Sequence, residues 1–232
     1  AQLARSTAGR VAQLLGDSRN LARSLASDSA FVGYLAAPDE AGSAAMQAKL
    51  DALLQANPDI DLMMVMDAAG NALVATDPKV TGRNFAFREY FRAASQGRPY
   101  ASGIIVGSVT GAAGSFHAQP VFDDARHVIG VMVLRIRASA VAAILRETQT
   151  DPDLVPMLVD GDGVVVLHPD PRVLYSSLAP LPPEKLAAIR ADQRFKRDDV
   201  PSLGMPALAQ ALTGAGTGSG HVEYRSTLTQ RD

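Results

Sequence analysis

"VMDAAGNALVATDPKV", residues 65–80, and "LVDGDGVVVLHPDPRV", residues 158–173, carry the same signs in the same order: apolar run, Asp-x-x-Gly turn, apolar run, Asp-Pro exit. Asp67 falls on Asp160, Gly70 on Gly163, Asp77 on Asp170 and Pro78 on Pro171, all at a spacing of 93 residues. An apolar strand, a tight glycine-bearing turn and a returning strand make a β-hairpin. Two such hairpins at one fixed offset predict two copies of a small α/β module in one chain.

Outward from the first hairpin, the periodicity changes from extended to helical. On the N-terminal side, Thr7, Val11, Leu14, Ser18, Leu21 and Leu25 recur at alternating spacings of four and three, and no proline occurs before Pro38. That seam predicts a long helix over residues 1–37, interrupted at most near Gly16. Its partner is either a second copy of the chain or the domain behind it. Pro38-Asp39 ends it and caps a second helix, whose apolar face is Met46, Leu50, Leu53 and Leu54 and which stops at Asn57-Pro58. On the other side, residues 102–136 read as a meander of three strands, "SGIIVGSV", "SFHAQPVF" and "VIGVMVLRI", followed by a helix to about residue 149. Residues 150–153 mark the boundary. The predicted domains are therefore a helix over 1–37, a first module over 38–150 and a second over 151–232. The second is less regular, with helix candidates at 183–193 and 206–212, a glycine-rich loop "TGAGTGSG" and a strand "HVEYR", and its last strands are expected to be missing. The fold class is α+β with antiparallel sheets.

The 232 residues are 47% hydrophobic with a formal net charge of −2, enough apolar material for a core in each module. No Lys/Arg-rich run appears, so nucleic acid is not an expected partner. Cysteine is absent, which excludes disulfides and thiol chemistry and leaves the compartment open. The four histidines lack metal-ligand spacing, and "DGDG" at 160–163 begins like a calcium loop without the closing glutamate, so no metal is expected. "GAGTGSG" matches neither nucleotide fingerprint and no Gly-x-Ser-x-Gly elbow occurs, so neither cofactor nor catalytic residue is expected. The chain opens on "AQLARSTAGR" without Met, as an excised piece of a longer protein would.

The order of elements, a long helix, a hairpin, the aromatic and arginine-bearing segment "GRNFAFREYFRAASQG" (82–97), the meander with "GSVTGAAGSFHAQPV" (107–121) and "GVMVLRI" (130–136), and a second α/β module, resembles the double Cache (tandem PAS-like) extracytoplasmic sensor domains. Within that family it is most similar to sensors of C4-dicarboxylates and related organic acids. The resemblance implies a periplasmic domain, anchored in the inner membrane through flanking helices and feeding a histidine kinase, a cyclase or a chemotaxis output, without catalysis of its own. The seam of the N-terminal helix makes a homodimer through that helix the expected assembly. In the family the membrane-distal module binds the ligand, and the matching positions here are Arg88, Tyr90, Ser108, Thr110, Ser115, His117 and Arg135. "TGAAG" lacks the basic residue that dicarboxylate sensors often carry in that loop.

The residues themselves support an acid site. Alternation along "VIGVMVLRI" puts Val131, Val133 and Arg135 on one face, so an arginine ends an apolar strand face and calls for an anion. The same alternation groups Ser115, His117 and Gln119 as a polar face, with Phe116, Ala118 and Pro120 on the packing face. In a helix starting near Phe87, Tyr90 and Phe91 would wall Arg88 and hold its planar fork toward a carboxylate. The expected partner is a small carboxylate bound by Arg88, Tyr90, Phe91, Ser108, Thr110, Ser115, His117 and Arg135. Two alternatives stand beside it: an amino-acid sensor, and a ligand-free dimerisation ectodomain in which Arg135 is exposed or paired to an acid.

Overall fold

The computed structural model describes residues 2–147 and 155–214. Two compact units form, residues 12–140 and residues 1–11 with 141–232. In the first, helices α1 (Gln2–Ala26, from residue 12 on), α2 (Ser29–Ala36) and α3 (Glu40–Ala56) precede strands β1 (Ile60–Asp67) and β2 (Ala72–Ala75). Helix α4 (Glu89–Ser95) and strands β3 (Tyr100–Val106), β4 (Ala113–Phe122) and β5 (Val128–Arg137) complete it, and β5 continues without a break into α5 (Ala138–Glu147). The five strands make one antiparallel sheet in the order β2-β1-β5-β4-β3.

The long N-terminal helix is broken, and not at Gly16, which α1 passes through. The break lies at Asp28, whose side chain accepts from Ala30 N (2.9 Å) as the N-cap of α2 and receives Lys49 Nζ at 2.6 Å. A short carboxylate that satisfies an orphan N–H outcompetes continuation of the helix. Along the seam from residue 14 to 25, Ser18 and Leu25 are buried and Leu14 and Leu21 are half-buried against the unit's own core. Of the two partners the spacing left open, the domain behind the helix is the one these residues meet. Helix α3 is capped by Asp39, which accepts from Gly42 N at 2.6 Å, and buries Met46 and Leu50 as its periodicity requires.

Both faces of the sheet are covered, which explains why β1 is apolar at nearly every position. One face meets α1–α3 through Ile60, Met63, Val65, Met132, Leu134 and Ile136. The other meets α4 and the segment before it through Leu62, Met64, Met66, Phe116, Ala118, Val131 and Val133.

The second unit holds β6 (Leu158–Val159), β7 (Val165–Leu167), a 3₁₀ turn (Pro171–Val173), α6 (Pro183–Ala191) and α7 (Pro206–Gly214), with a core of Val165, Val173, Leu178, Met205 and Leu208. The two Asp-x-x-Gly hairpins match each other down to individual atoms. Asp67 Oδ1 accepts from Ala69 N and Asn71 N, and Asp160 Oδ1 accepts from Asp162 N and Val164 N. Gly70 and Gly163 then turn with φ of 87° and 83°, and Asp77 and Asp170 each accept from the backbone N–H two residues on. The strand expected at 221–225, most of the loop at 213–220 and the boundary at 150–153 lie outside the described residues.

Candidate functional site

The segment that carries Arg88 is shaped before it reaches the helix. Helix α4 begins at Glu89, two residues later than its spacing suggests, and Arg88 is its N-cap with extended backbone (φ −72°, ψ 136°). Arg88 is buried there, only 1% exposed. Its Nη2 donates to Val106 O at 2.8 Å, and its guanidinium lies 5.3 Å from the Phe87 ring centroid. Tyr90, two residues on, is equally buried and stacks on Phe116 with centroids 5.2 Å apart.

Arg135 reaches the same place from β5. Register pairs it with Phe116 on β4 and Leu62 on β1, so all three share the α4 side of the sheet. It is 3% exposed. The anion that its burial demands comes from the chain itself: Nε donates to Asp61 Oδ1 at 2.7 Å. Nη1 donates to Thr110 Oγ1 at 2.8 Å and, more weakly, to Ala112 O at 3.4 Å, tying down the β3–β4 loop. Gly107 and Gly114 make the room, since a Cβ on Gly107 would sit 2.9 Å from Arg135 Nη1 and one on Gly114 2.6 Å from its Cγ.

Around these side chains a cavity of about 10 Å³ remains, room for roughly one water molecule. Arg88, Tyr90, Ser108, Thr110 and Arg135 all line it, as the sequence reading grouped them. The apolar part of the wall, including Leu62, Met64, Val80, Phe85 and Phe116, was not anticipated as a lining, although the alternation of β1 contains two of these, Leu62 and Met64. No acidic side chain lines the cavity among the described residues.

Three predicted residues lie elsewhere. Phe91 is buried in the core beneath α4. Ser115 and His117 pair in register with Ile136 and Leu134, which places them on the α1–α3 face. The polar and packing faces of β4 are thus the reverse of the expectation, because the cavity wall is Phe116 and not its neighbours. Ser115 Oγ donates to Ser102 O at 2.8 Å and fastens β3. His117 is fully buried, neither ring nitrogen has a hydrogen-bond partner among the described residues, and burial, helped by the positive charge of Arg19, lowers its pKa to about 4. On that side a larger groove of about 770 Å³ opens between the N-terminal helices and the β4–β5 turn, but Arg23 and Arg126 face it together with Asp123 and Asp124, so it selects no sign of charge.

A family model described as "Cache domain" matches residues 1–227. Three solved structures show the same fold. The sensor domain of the Vibrio cholerae histidine kinase DctB is 23% identical, with 88% of this chain and 78% of that one covered and a TM-score of 0.76. A domain of a putative sensory box/GGDEF family protein from Vibrio parahaemolyticus is 15% identical (95% and 84% covered, TM-score 0.67). The ligand-binding domain of the Pseudomonas aeruginosa amino acid chemoreceptor PctC, solved with GABA, is 19% identical (76% and 78% covered, TM-score 0.57). No curated protein matches. No helix among the described residues is long and apolar enough to cross a membrane.

Proposed function

Because the chain belongs to the Cache domain family, we propose that it is the periplasmic sensor domain of a transmembrane signalling receptor and that its first module recognises a small carboxylate, with no catalysis of its own. One observation carries this reading: two arginines, 1% and 3% exposed, come from an N-cap and a distant strand to one cavity that also holds a tyrosine and two hydroxyl residues. Arg135 is already paired with Asp61, so a bound carboxylate would be met by Arg88 together with the hydroxyls of Ser108 and Thr110, as charge-assisted hydrogen bonds. The absence of an acid from the lining among the described residues favours an organic acid over an amino acid, whose ammonium group would find no carboxylate there. The fold's relatives in histidine kinases and chemoreceptors fit a sensing role, the DctB domain being a sensor domain and PctC a chemoreceptor by name.

The ligand is held by Arg88 and by the Ser108–Thr110 loop, and entry requires that loop to yield, since a carboxylate is larger than the cavity. Arg135 couples the loop to β5, and β5 runs straight into α5, so displacement of the loop is passed to the chain's exit. Dimerisation through α1 belongs to the same proposal and would use the side of the helix opposite Leu14 and Leu21.

The test is a thermal-shift and calorimetric screen of the chain with small carboxylates, amino acids and amines. A bound acid at a hundredfold excess over its Kd stabilises by about 2.7 kcal/mol, and Arg88→Ala, still folded by circular dichroism, should lose that response. A ligand-free interaction module is the second reading, favoured by Asp61 already pairing Arg135. Failure of every acid to stabilise the chain would decide for it.

A further inference from the structure

We infer that the first module carries a second binding site on the other face of its sheet, a groove over β4 that takes a short peptide with free ends. It lies apart from the Arg88 cavity and shares none of that cavity's side chains.

The floor of the groove holds the decisive group. Gln119 shares the α1–α3 face of β4 with Ser115 and His117, since register pairs it with Met132. It lines the groove of about 770 Å³ and is only 4% exposed, yet its side-chain amide has no hydrogen-bond partner among the described residues. A buried amide that the protein leaves unmet takes its partners from whatever fills the space beside it. It offers N–H donors and a carbonyl acceptor side by side. A peptide group offers the complement, acceptor and donor together, whereas a lone carboxylate answers only the N–H and a lone ammonium only the carbonyl.

The rim supplies both signs of charge. Arg23 in the last turn of α1 and Arg126 in the β4–β5 turn make no ion pair among the described residues, and neither does Asp124. The guanidinium of Arg126 is set 4.3 Å from the Phe122 ring centroid. Asp123 is spent on the turn itself, where it accepts from His127 N at 2.7 Å. Two cations and a free carboxylate suit a molecule with a carboxylate at one end and an ammonium at the other. All three are exposed, so each adds little and the amide in the floor contributes most. Between them the wall is apolar at Pro120 and Phe122 and bare at Gly33 and Gly97. The volume falls within the roughly 300–1,000 Å³ of small-ligand clefts. A single amino acid would leave it largely empty, and about three extended residues, roughly 10 Å of chain, would occupy it.

Isothermal titration of the 232-residue chain tests this with trialanine, with trialanine acetylated and amidated at its ends, and with alanine, on wild type, Gln119→Met and Asp124→Asn. Trialanine should bind at millimolar concentration or below, and the blocked peptide and alanine about tenfold more weakly. Gln119→Met keeps the length of the side chain and removes its hydrogen bonds, and should weaken trialanine by about tenfold. Asp124→Asn should weaken it by about threefold. No binding of trialanine, or alanine binding as tightly, would overturn the inference. Trialanine bound with unchanged affinity by Gln119→Met would also overturn it, because its carboxylate would then be held elsewhere, and would leave the carboxylate reading of the Arg88 cavity standing. If Gln119→Met fails to fold, Asp124→Asn and the blocked peptide decide: equal affinity in both comparisons would overturn the site.

Discussion

His117→Leu is expected to remove an acid sensitivity from the first unit. The imidazole lies on the α1–α3 face between strands, opposite Leu134, with both nitrogens unpartnered among the described residues. Burial holds its pKa at about 4, against an ordinary value of 6.5. The neutral ring is therefore the folded form, and as pH falls below about 6.5 the unfolded chain takes up a proton that the folded chain refuses. Stability is complete above pH 6.5, falls by up to about 1.4 kcal/mol per pH unit, and levels off below pH 4 with a total loss of about 3 kcal/mol. Against the 5–15 kcal/mol typical of a domain, that is about 10 °C of melting temperature. Urea unfolding followed by circular dichroism from pH 7.5 to 4, on wild type and His117→Leu, reads it directly. Asp28, Asp123 and Asp170, whose pKa values are lowered by their partners, lose their contributions at still lower pH and equally in both proteins, so the difference curve isolates the histidine. At pH 7.5 leucine should be tolerated, because it removes two buried polar atoms together with their cost. A difference between the two proteins that stays constant from pH 7.5 to 4 would refute the assignment.

Other outcomes follow from the same geometry. Gly163→Ala should cost about 1–2 kcal/mol for its positive φ, with nothing within 4 Å of the new Cβ. Gly70→Ala should cost about 1–3 kcal/mol more in chemical denaturation, because its Cβ would lie 2.9 Å from Ala86 N. Asp28→Ala should lower stability by about 1–2 kcal/mol through the lost cap of α2, with a smaller share from the half-exposed Lys49 pair, and the deficit should fade as acid protonates the wild-type carboxylate. Gly114→Ala would press a methyl group on the Ile136 carbonyl and on the stem of Arg135; a loss of about 1–3 kcal/mol is expected, and an unchanged melting temperature would contradict the described packing.

What the sequence by itself determined is whatever repeats or alternates along the chain. The Asp-x-x-Gly hairpins were legible because Asp67 and Asp160 bond to their own turns, within four residues. The strands of the meander and the sharing of one face by Val131, Val133 and Arg135 follow from the two-residue period alone. Arg88 could be singled out from its aromatic surroundings, but its direction depended on where α4 begins, and a shift of two residues turned it from a helix face into a cap. Tertiary structure decided which face of each strand looks toward the cavity: alternation separates Phe116 from Ser115 and His117, yet only pairing with β5 says which side each faces. It also decided the charge of the site. Period two puts Asp61 with Met63 and Val65, on the helix side; a single extra residue in the β1–β5 ladder brings it to Arg135, 74 positions away. Local order is encoded by neighbours in sequence, whereas register and bulges are settled by which cores close best, and it is those that place an acid beside an arginine.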